Sequence, residues 1–130
     1  MKKLILLLPA LFFLSSLHAQ KKEKTGIYAK YEYVGSFNQG IAKVKLNKKW
    51  GYVDTTGNVL ISPKYNEAEN FSGGLARVRL GQKWGLVDTT GAEVIKPTFD
   101  WIYDYDQFGV AKVKLNGQEY YMDRKGIRVR

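Results

Sequence analysis

The sequence predicts an all-β repeat fold: three units of 34–35 residues, each a three-stranded antiparallel meander, stacked as a short solenoid or a compact repeat fold. Three observations carry that prediction. Lys49-Trp50-Gly51-Tyr52-Val53-Asp54-Thr55-Thr56-Gly57 recurs as Lys83-Trp84-Gly85-Leu86-Val87-Asp88-Thr89-Thr90-Gly91, 34 positions on. Gly40-Ile41-Ala42-Lys43-Val44-Lys45-Leu46 recurs from Gly74 and again from Gly109, the last offset being 35 because the loop 106–109 holds one residue more than 72–74. Within each copy apolar and charged residues alternate, the period of a half-buried strand. A unit of this size cannot bury both faces alone, so neighbours must stack.

The first residues stand apart from the repeats. Lys2 and Lys3 precede an apolar stretch of 14 residues, 4–17, which ends at Leu17-His18-Ala19. That layout predicts a cleavable signal peptide over residues 1–19. A spanning helix needs roughly 20 apolar residues, so no transmembrane span is expected after cleavage. The expected organisation is then a linker at 20–25 and a repeat domain at 26–130, with units near 23–56, 57–90 and 91–125 and a C-terminal stub. The chain is expected to be exported, to a periplasm or to the outside of the cell.

Composition excludes several chemistries. The chain has no cysteine and one histidine, His18, which leaves with the leader. Ser-His and Cys-His nucleophile pairs and zinc sites with N or S ligands are therefore ruled out of the mature chain. No metal and no cofactor is expected. Removal of Lys2 and Lys3 lowers the formal net charge from +9 to +7, which favours a negatively charged partner. Export argues against nucleic acid as that partner.

The elements follow in order within each unit. Residues 42–46 alternate as a strand, and residues 50–54 are rich in aromatic and β-branched types that suit the next one. Between them Asn47-Lys48, Gly81-Gln82 and Asn116-Gly117 fit two-residue hairpin turns, whose positive φ favours Asn and Gly. Asp54 to Gly57, Asp88 to Gly91 and Asp123 to Gly126 fit type I turns, the Asp carboxylate accepting a backbone N–H two residues on. A third strand is expected at 59–61 and 94–95, ended by Pro63 and Pro97, because proline cannot donate to a ladder. Tyr65, Ala68 and Phe71 are spaced by three, as are Phe99, Ile102 and Tyr105; that spacing leaves a helical turn or extended chain open.

The pattern W-G-x-V-D-x-x-G, then I-x-P-x-aromatic, then a Gly loop and an apolar-Ala-basic-Val strand, resembles the WG-repeat family, also called KWG repeats. The resemblance covers about residues 26–130 and implies a bacterial exported repeat protein. Two copies match in full. The third has Glu119-Tyr120 in place of Trp-Gly, while Asp123 and Gly126 persist. The family implies an architecture and no particular activity.

Two-residue turns place Lys45 opposite Trp50, Lys43 opposite Tyr52, Arg79 opposite Trp84, Arg77 opposite Leu86, Lys114 opposite Glu119 and Lys112 opposite Tyr121. Opposed residues share a face. One face of the stack is then expected to carry Lys43, Lys45, Arg77, Arg79, Lys112, Lys114, Trp50 and Trp84 as candidate ligand-binding residues. Aromatic rings stack on sugars or bases, and the cations attract anions. The competing reading is structural and is favoured by repetition: basic stems lie over the indoles with their charged ends in water. In that reading Glu119 neutralises Lys114. Gly51 and Gly85 are expected to let the next unit approach closely, and Trp50, Gly51, Asp54, Gly57, Trp84, Gly85, Asp88, Gly91, Asp123 and Gly126 form the structural motif.

Carboxylates of the linking segments, Glu67, Glu69, Asp100, Asp104 and Asp106, offer the one catalytic alternative, a paired-carboxylate glycoside hydrolase in which Asp100 or Glu67 takes part. Asp100, Asp104 and Asp106 lack the glycine pattern of a calcium loop. The leading expectation is a non-catalytic exported module that binds a protein or an anionic glycan or surface in the cell envelope. A third reading is a structural, self-associating subunit that uses the strand edge at residues 127–130.

Overall fold

The computed structural model describes residues 25–130. The expected signal peptide, and the linker up to residue 24, lie outside the described residues. Among those described, no helix is long and apolar enough to cross a membrane. One short helix, α1 (Ile27–Lys30), precedes eleven strands: β1 (Tyr33–Val34), β2 (Ile41–Leu46), β3 (Lys49–Asp54), β4 (Val59–Tyr65), β5 (Glu67–Ala68), β6 (Leu75–Leu80), β7 (Lys83–Asp88), β8 (Glu93–Phe99), β9 (Trp101–Tyr105), β10 (Ala111–Leu115) and β11 (Gln118–Met122).

The strands form three antiparallel sheets, one per repeat, in the orders β1-β2-β3-β4, β5-β6-β7-β8 and β11-β10-β9. The expected meanders are β2-β3-β4 and β6-β7-β8. Each is preceded by a short strand, β1 or β5, that pairs back onto it. The segments left open between helical turn and extended chain are extended, since β5 and β9 lie within them. The third sheet reaches a fourth position too: Tyr121 N–H donates to the Arg130 carbonyl at 2.9 Å and Val129 N–H to the Tyr121 carbonyl at 2.8 Å. Residues 127–130 are therefore paired along β11 as the outermost strand of this sheet.

Turn chemistry sets the registers. Asn47 and Lys48 both have positive φ, as do Asn116 and Gly117, whereas Gly81 is positive without its neighbour. These two-residue turns give the expected pairs Lys45↔Trp50 and Lys43↔Tyr52 in the first sheet. The second sheet has Arg79↔Trp84 and Arg77↔Leu86, and the third Lys114↔Glu119 and Lys112↔Tyr121. The Asp turns form as expected: Gly57, Gly91 and Gly126 each donate to the carbonyl of Asp54, Asp88 or Asp123 at 3.0–3.1 Å. Asp106 builds a fourth such turn, its carboxylate accepting the N–H groups of Phe108 and Val110, both at 2.9 Å. The Asp-x-x-Gly spacing of Asp106 and Gly109 carried that signal, hidden by the extra residue of the loop.

Pro63 and Pro97 do not end their strands; β4 and β8 run through them. The register jumps from Tyr52↔Ile61 to Trp50↔Tyr65, and from Leu86↔Ile95 to Trp84↔Phe99. Four residues of β4 or β8 thus span two of β3 or β7. Each proline sits in the resulting bulge, on a strand at the end of the sheet order, where no ladder bond is asked of its nitrogen. The bulge also corrects the role expected of the glycines. Gly51 and Gly85 admit the proline bulge of their own sheet, not a neighbouring sheet: a Cβ there would lie 2.7 Å from the nitrogen of Pro63 or Pro97.

The sheets pack face to face in an open row. The Tyr52, Ile61 and Tyr65 face of the first sheet shares a core with Ala68, Ala76, Val78 and Val87 of the second. Trp84, Leu86, Ile95 and Phe99 of the second share the next with Ile102, Val113 and Met122 of the third. Ala42, Val44 and Val53 on the outer side of the first sheet are covered by Ile27 and Tyr31 at α1. The first and third sheets share no core cluster.

Candidate functional site

The basic–aromatic ladder has the register expected of it but is not one open surface. On the first two sheets it lies in the junctions. Lys43 Nζ donates across to the Ala68 carbonyl at 3.2 Å. Arg77, its counterpart 34 residues on, donates to the Ile102 carbonyl at 2.8 Å. The same cation position thus tethers each sheet to the short strand that opens the next. Trp50 is half-buried beneath Lys43 and Lys45, at 4.7 and 5.4 Å from its ring centre. It meets Tyr33 edge-on at 5.6 Å. Trp84 is buried, 8% exposed. It lies under Arg79 and packs edge-on against Trp101 at 5.0 Å. Both indoles therefore serve the packing reading.

On the third sheet the same positions face outward. Lys112 lies over Tyr103 at 4.6 Å and Arg130 over Tyr121 at 4.7 Å, and both tyrosines are 38% exposed. Lys114 is exposed beside them. Glu119 stands opposite Lys114 in register, yet its ion pair is with Lys112, at 3.2 Å, so the expected neutralisation falls on the diagonal neighbour. That carboxylate pushes the Lys112 ammonium above its ordinary range. Glu119 in place of Trp makes this end of the stack polar, as terminal repeats require.

The linking carboxylates have structural partners. Asp100 accepts the Asn116 N–H at 2.7 Å and is bonded to Lys83; the Lys83 bond is the main cause that holds its carboxyl below the usual range. Asn66 makes the equivalent clamp on Gly81 N–H at 2.7 Å, and Glu32 on Asn47 N–H at 2.8 Å. This once-per-unit clamp was not read from the sequence, because Glu, Asn and Asp differ in type while sharing an acceptor oxygen. Glu67 pairs with Arg79 at 2.8 Å. The Asp54 and Asp88 carboxyls are likewise lowered, first by the hydroxyls of Thr56 and Thr90. A glycosidase acid needs the opposite shift. Among the described residues, no three His, Cys, Asp or Glu side chains are grouped to hold a metal ion.

A cleft of about 250 Å³ opens between the second and third sheets. Leu75 and Tyr105 give it apolar and aromatic surface above the buried Leu86 and Ile102, and Glu69, Asp104, Arg77 and Arg124 bring charged groups. Three positions around it differ from their equivalents in the first junction. In the first junction Tyr52 is fully buried, donates to the Glu69 carbonyl at 2.7 Å and packs edge-on against Phe71 at 5.0 Å. In the second junction Leu86 stands where Tyr52 stood, Tyr103 where Glu69 stood and Tyr105 where Phe71 stood. Leucine has no phenol to fill the space.

Comparison with curated proteins and with solved structures returns no match. Comparison with family models finds the WG containing repeat three times, at residues 20–50, 50–84 and 84–118. The matches break at Trp50 and Trp84, the two indoles packed at the sheet junctions, and they span most of the chain. By this pattern and by its three stacked sheets, the chain belongs to the WG containing repeat family.

Proposed function

We propose that this protein is a non-catalytic interaction module, exported to the cell envelope or beyond, that engages an anionic glycan through the outer face of its third sheet. The observation that supports the reading is the fate of the basic ladder. Its cations on the first two sheets lie over Trp50 or Trp84 or reach across a junction, whereas on the third sheet Lys112, itself paired with Glu119, and Lys114 look outward beside Tyr103, Tyr121 and Arg130. Tyrosine faces flanked by cations suit sugar rings that carry negative charge. The formal charge of +7 that remains after the expected cleavage, +9 less Lys2 and Lys3, adds a long-range attraction to such a partner. Asp100 and Glu67, each in an ion pair, lend no support to the carboxylate-hydrolase alternative.

Titration of the protein with polygalacturonate in low salt tests this, with neutral dextran as the control. Saturable binding that weakens at least about tenfold in a Lys112→Glu/Lys114→Glu variant and falls with added salt is the expected result. Equal binding of both polymers, or an unaffected double variant, would overturn the assignment to this face.

A further inference from the structure

The stack has two ends, and they differ. Ile27 and Tyr31 stand 34 residues before Ile61 and Tyr65. They close over Ala42, Val44 and Val53 on the outer side of the first sheet, as Ile61 and Tyr65 close over Ala76, Val78 and Val87 in the junction that follows. The outer face of the third sheet has no such cover among the described residues. We infer that this face docks an extended, acidic segment of a partner protein, whose successive backbone carbonyls accept hydrogen bonds from Lys112 Nζ and the Tyr121 hydroxyl. The inference goes beyond the glycan reading and is drawn from what the two junctions already hold.

In the first junction Lys43 and Tyr52 stand directly opposite each other and grip the strand that opens the next unit. Lys43 Nζ donates to the Ala68 carbonyl at 3.2 Å, and the Tyr52 hydroxyl donates to the Glu69 carbonyl at 2.7 Å. The two acceptors are consecutive, so the pair recognises backbone and not a particular side chain. In the second junction Leu86 takes the place of Tyr52. There Arg77 donates to the Ile102 carbonyl at 2.8 Å and pairs with Asp104, two residues further along the same strand, at 3.0 Å. Each incoming segment thus supplies carbonyl oxygen at this position, and the second adds a carboxylate.

The third sheet restores the full pair. Lys112 stands at the position of Lys43 and Arg77, and Tyr121 at that of Tyr52; the two are again directly opposed. Tyr52 is fully buried in its junction, whereas Tyr121 is 38% exposed. Glu119 takes one bond from Lys112, at 3.2 Å. An ammonium has three donors, so two remain for a carbonyl and a carboxylate. The cations of this face, Lys112, Lys114 and Arg130, outnumber Glu119, which favours an acidic segment. Glu119 and Arg130 also stand where the buried junctions have Trp84 and Ile95, so backbone and charge carry the recognition in place of an apolar core.

The test is an NMR titration of the protein with the end-capped peptide of residues 65–72, the segment that supplies the Ala68 and Glu69 carbonyls in the first junction. Its own seat is already filled in the folded chain, so saturable shifts are expected at Lys112, Val113 and Tyr121 and not at Lys43 or Tyr52. Tyr121→Phe should weaken binding at least about threefold and Lys112→Gln about tenfold. A Glu67→Gln/Glu69→Gln form of the peptide should bind at least about threefold more weakly. No saturable shift on the third sheet, or equal binding by both protein variants, would overturn the proposal. Succinate, doubly charged like the peptide but without chain carbonyls, would overturn the carbonyl grip by binding as tightly. Equal binding of the uncharged peptide would overturn the acidic character of the partner. If polygalacturonate binds and the peptide gives no shift, the glycan reading stands and this one fails; the reverse result removes the glycan reading alone.

Discussion

Gly51 faces Pro63 across the first sheet so closely that a Cβ on the glycine would stand 2.7 Å from the proline nitrogen. The Ile61 carbonyl lies on the same side, so backbone blocks the position from two directions. Gly85 repeats the relationship with Pro97 and the Ile95 carbonyl. In the third sheet Tyr120 takes the glycine position, and the segment paired there carries no proline bulge. Its ring packs instead on Phe99 of the preceding sheet, 6.1 Å between centres. The Trp-Gly pair therefore joins two tasks: the indole packs the sheet junction and the glycine admits the bulge.

Gly51→Ala and Gly85→Ala should each destabilise the domain by about 2–3 kcal/mol, since overpacking against backbone forces the strand to shift. Urea denaturation measures this. An unchanged midpoint would show that β4 relaxes without cost and that the bulge does not require glycine.

The junction tethers should contribute unequally. Lys43→Met removes one bond to the Ala68 carbonyl and is expected to cost about 1 kcal/mol. Arg77→Met removes the bond to Ile102 and strands Glu69 and Asp104 beside each other, and is expected to cost about 2 kcal/mol. The order Arg77 above Lys43, read from denaturation midpoints of the two variants, is the outcome that matters.

Lys48 holds a φ of 64° without being glycine. Its counterpart in the third hairpin is Gly117. The left-handed region costs an ordinary L-residue roughly 1–2 kcal/mol, part of which glycine gives back through a more flexible unfolded chain. Lys48→Gly should therefore stabilise the protein by about 0.5–1 kcal/mol. A lower thermal midpoint in this variant would contradict the turn geometry.

Stability should be level through neutral pH and fall at both extremes. Asp54, Asp88 and Asp100 are held below the ordinary carboxyl value in the fold. Their contribution is complete above the unfolded value of about 3.9 and is lost as pH falls through the folded values. Burial raises the phenols of Tyr52 and Tyr65 and pushes Tyr105 up to about 12. Their contribution is complete below about pH 10, the unfolded value, and is lost as pH climbs through the folded ones. Urea midpoints from pH 2 to 12 should form a plateau between about pH 5 and 9. A marked slope between pH 6 and 8 would point to a group not accounted for.

Much of the fold was legible in the sequence, because its determinants are local. Asn116-Gly117 dictates a tight hairpin, Asp54 and Gly57 a type I turn, and the alternation around Val44 a strand with two faces; short turns then leave one register per hairpin. Pairs such as Lys45↔Trp50 followed from that alone. What lies on either side of a sheet is decided elsewhere, by residues some 34 positions away, and only the tertiary structure supplies it. It turned the ladder of Lys43, Trp50, Arg77 and Trp84 from a candidate ligand face into a junction, because a sheet with two coverable faces hides whichever one its neighbour needs. It moved Pro63 from the end of a strand to its bulge, because proline is excluded from ladder bonds and not from strands. It also gave meaning to Leu86. In the sequence Leu86 is one apolar residue in place of another; in the structure it stands at a cleft where the first junction has the buried phenol of Tyr52.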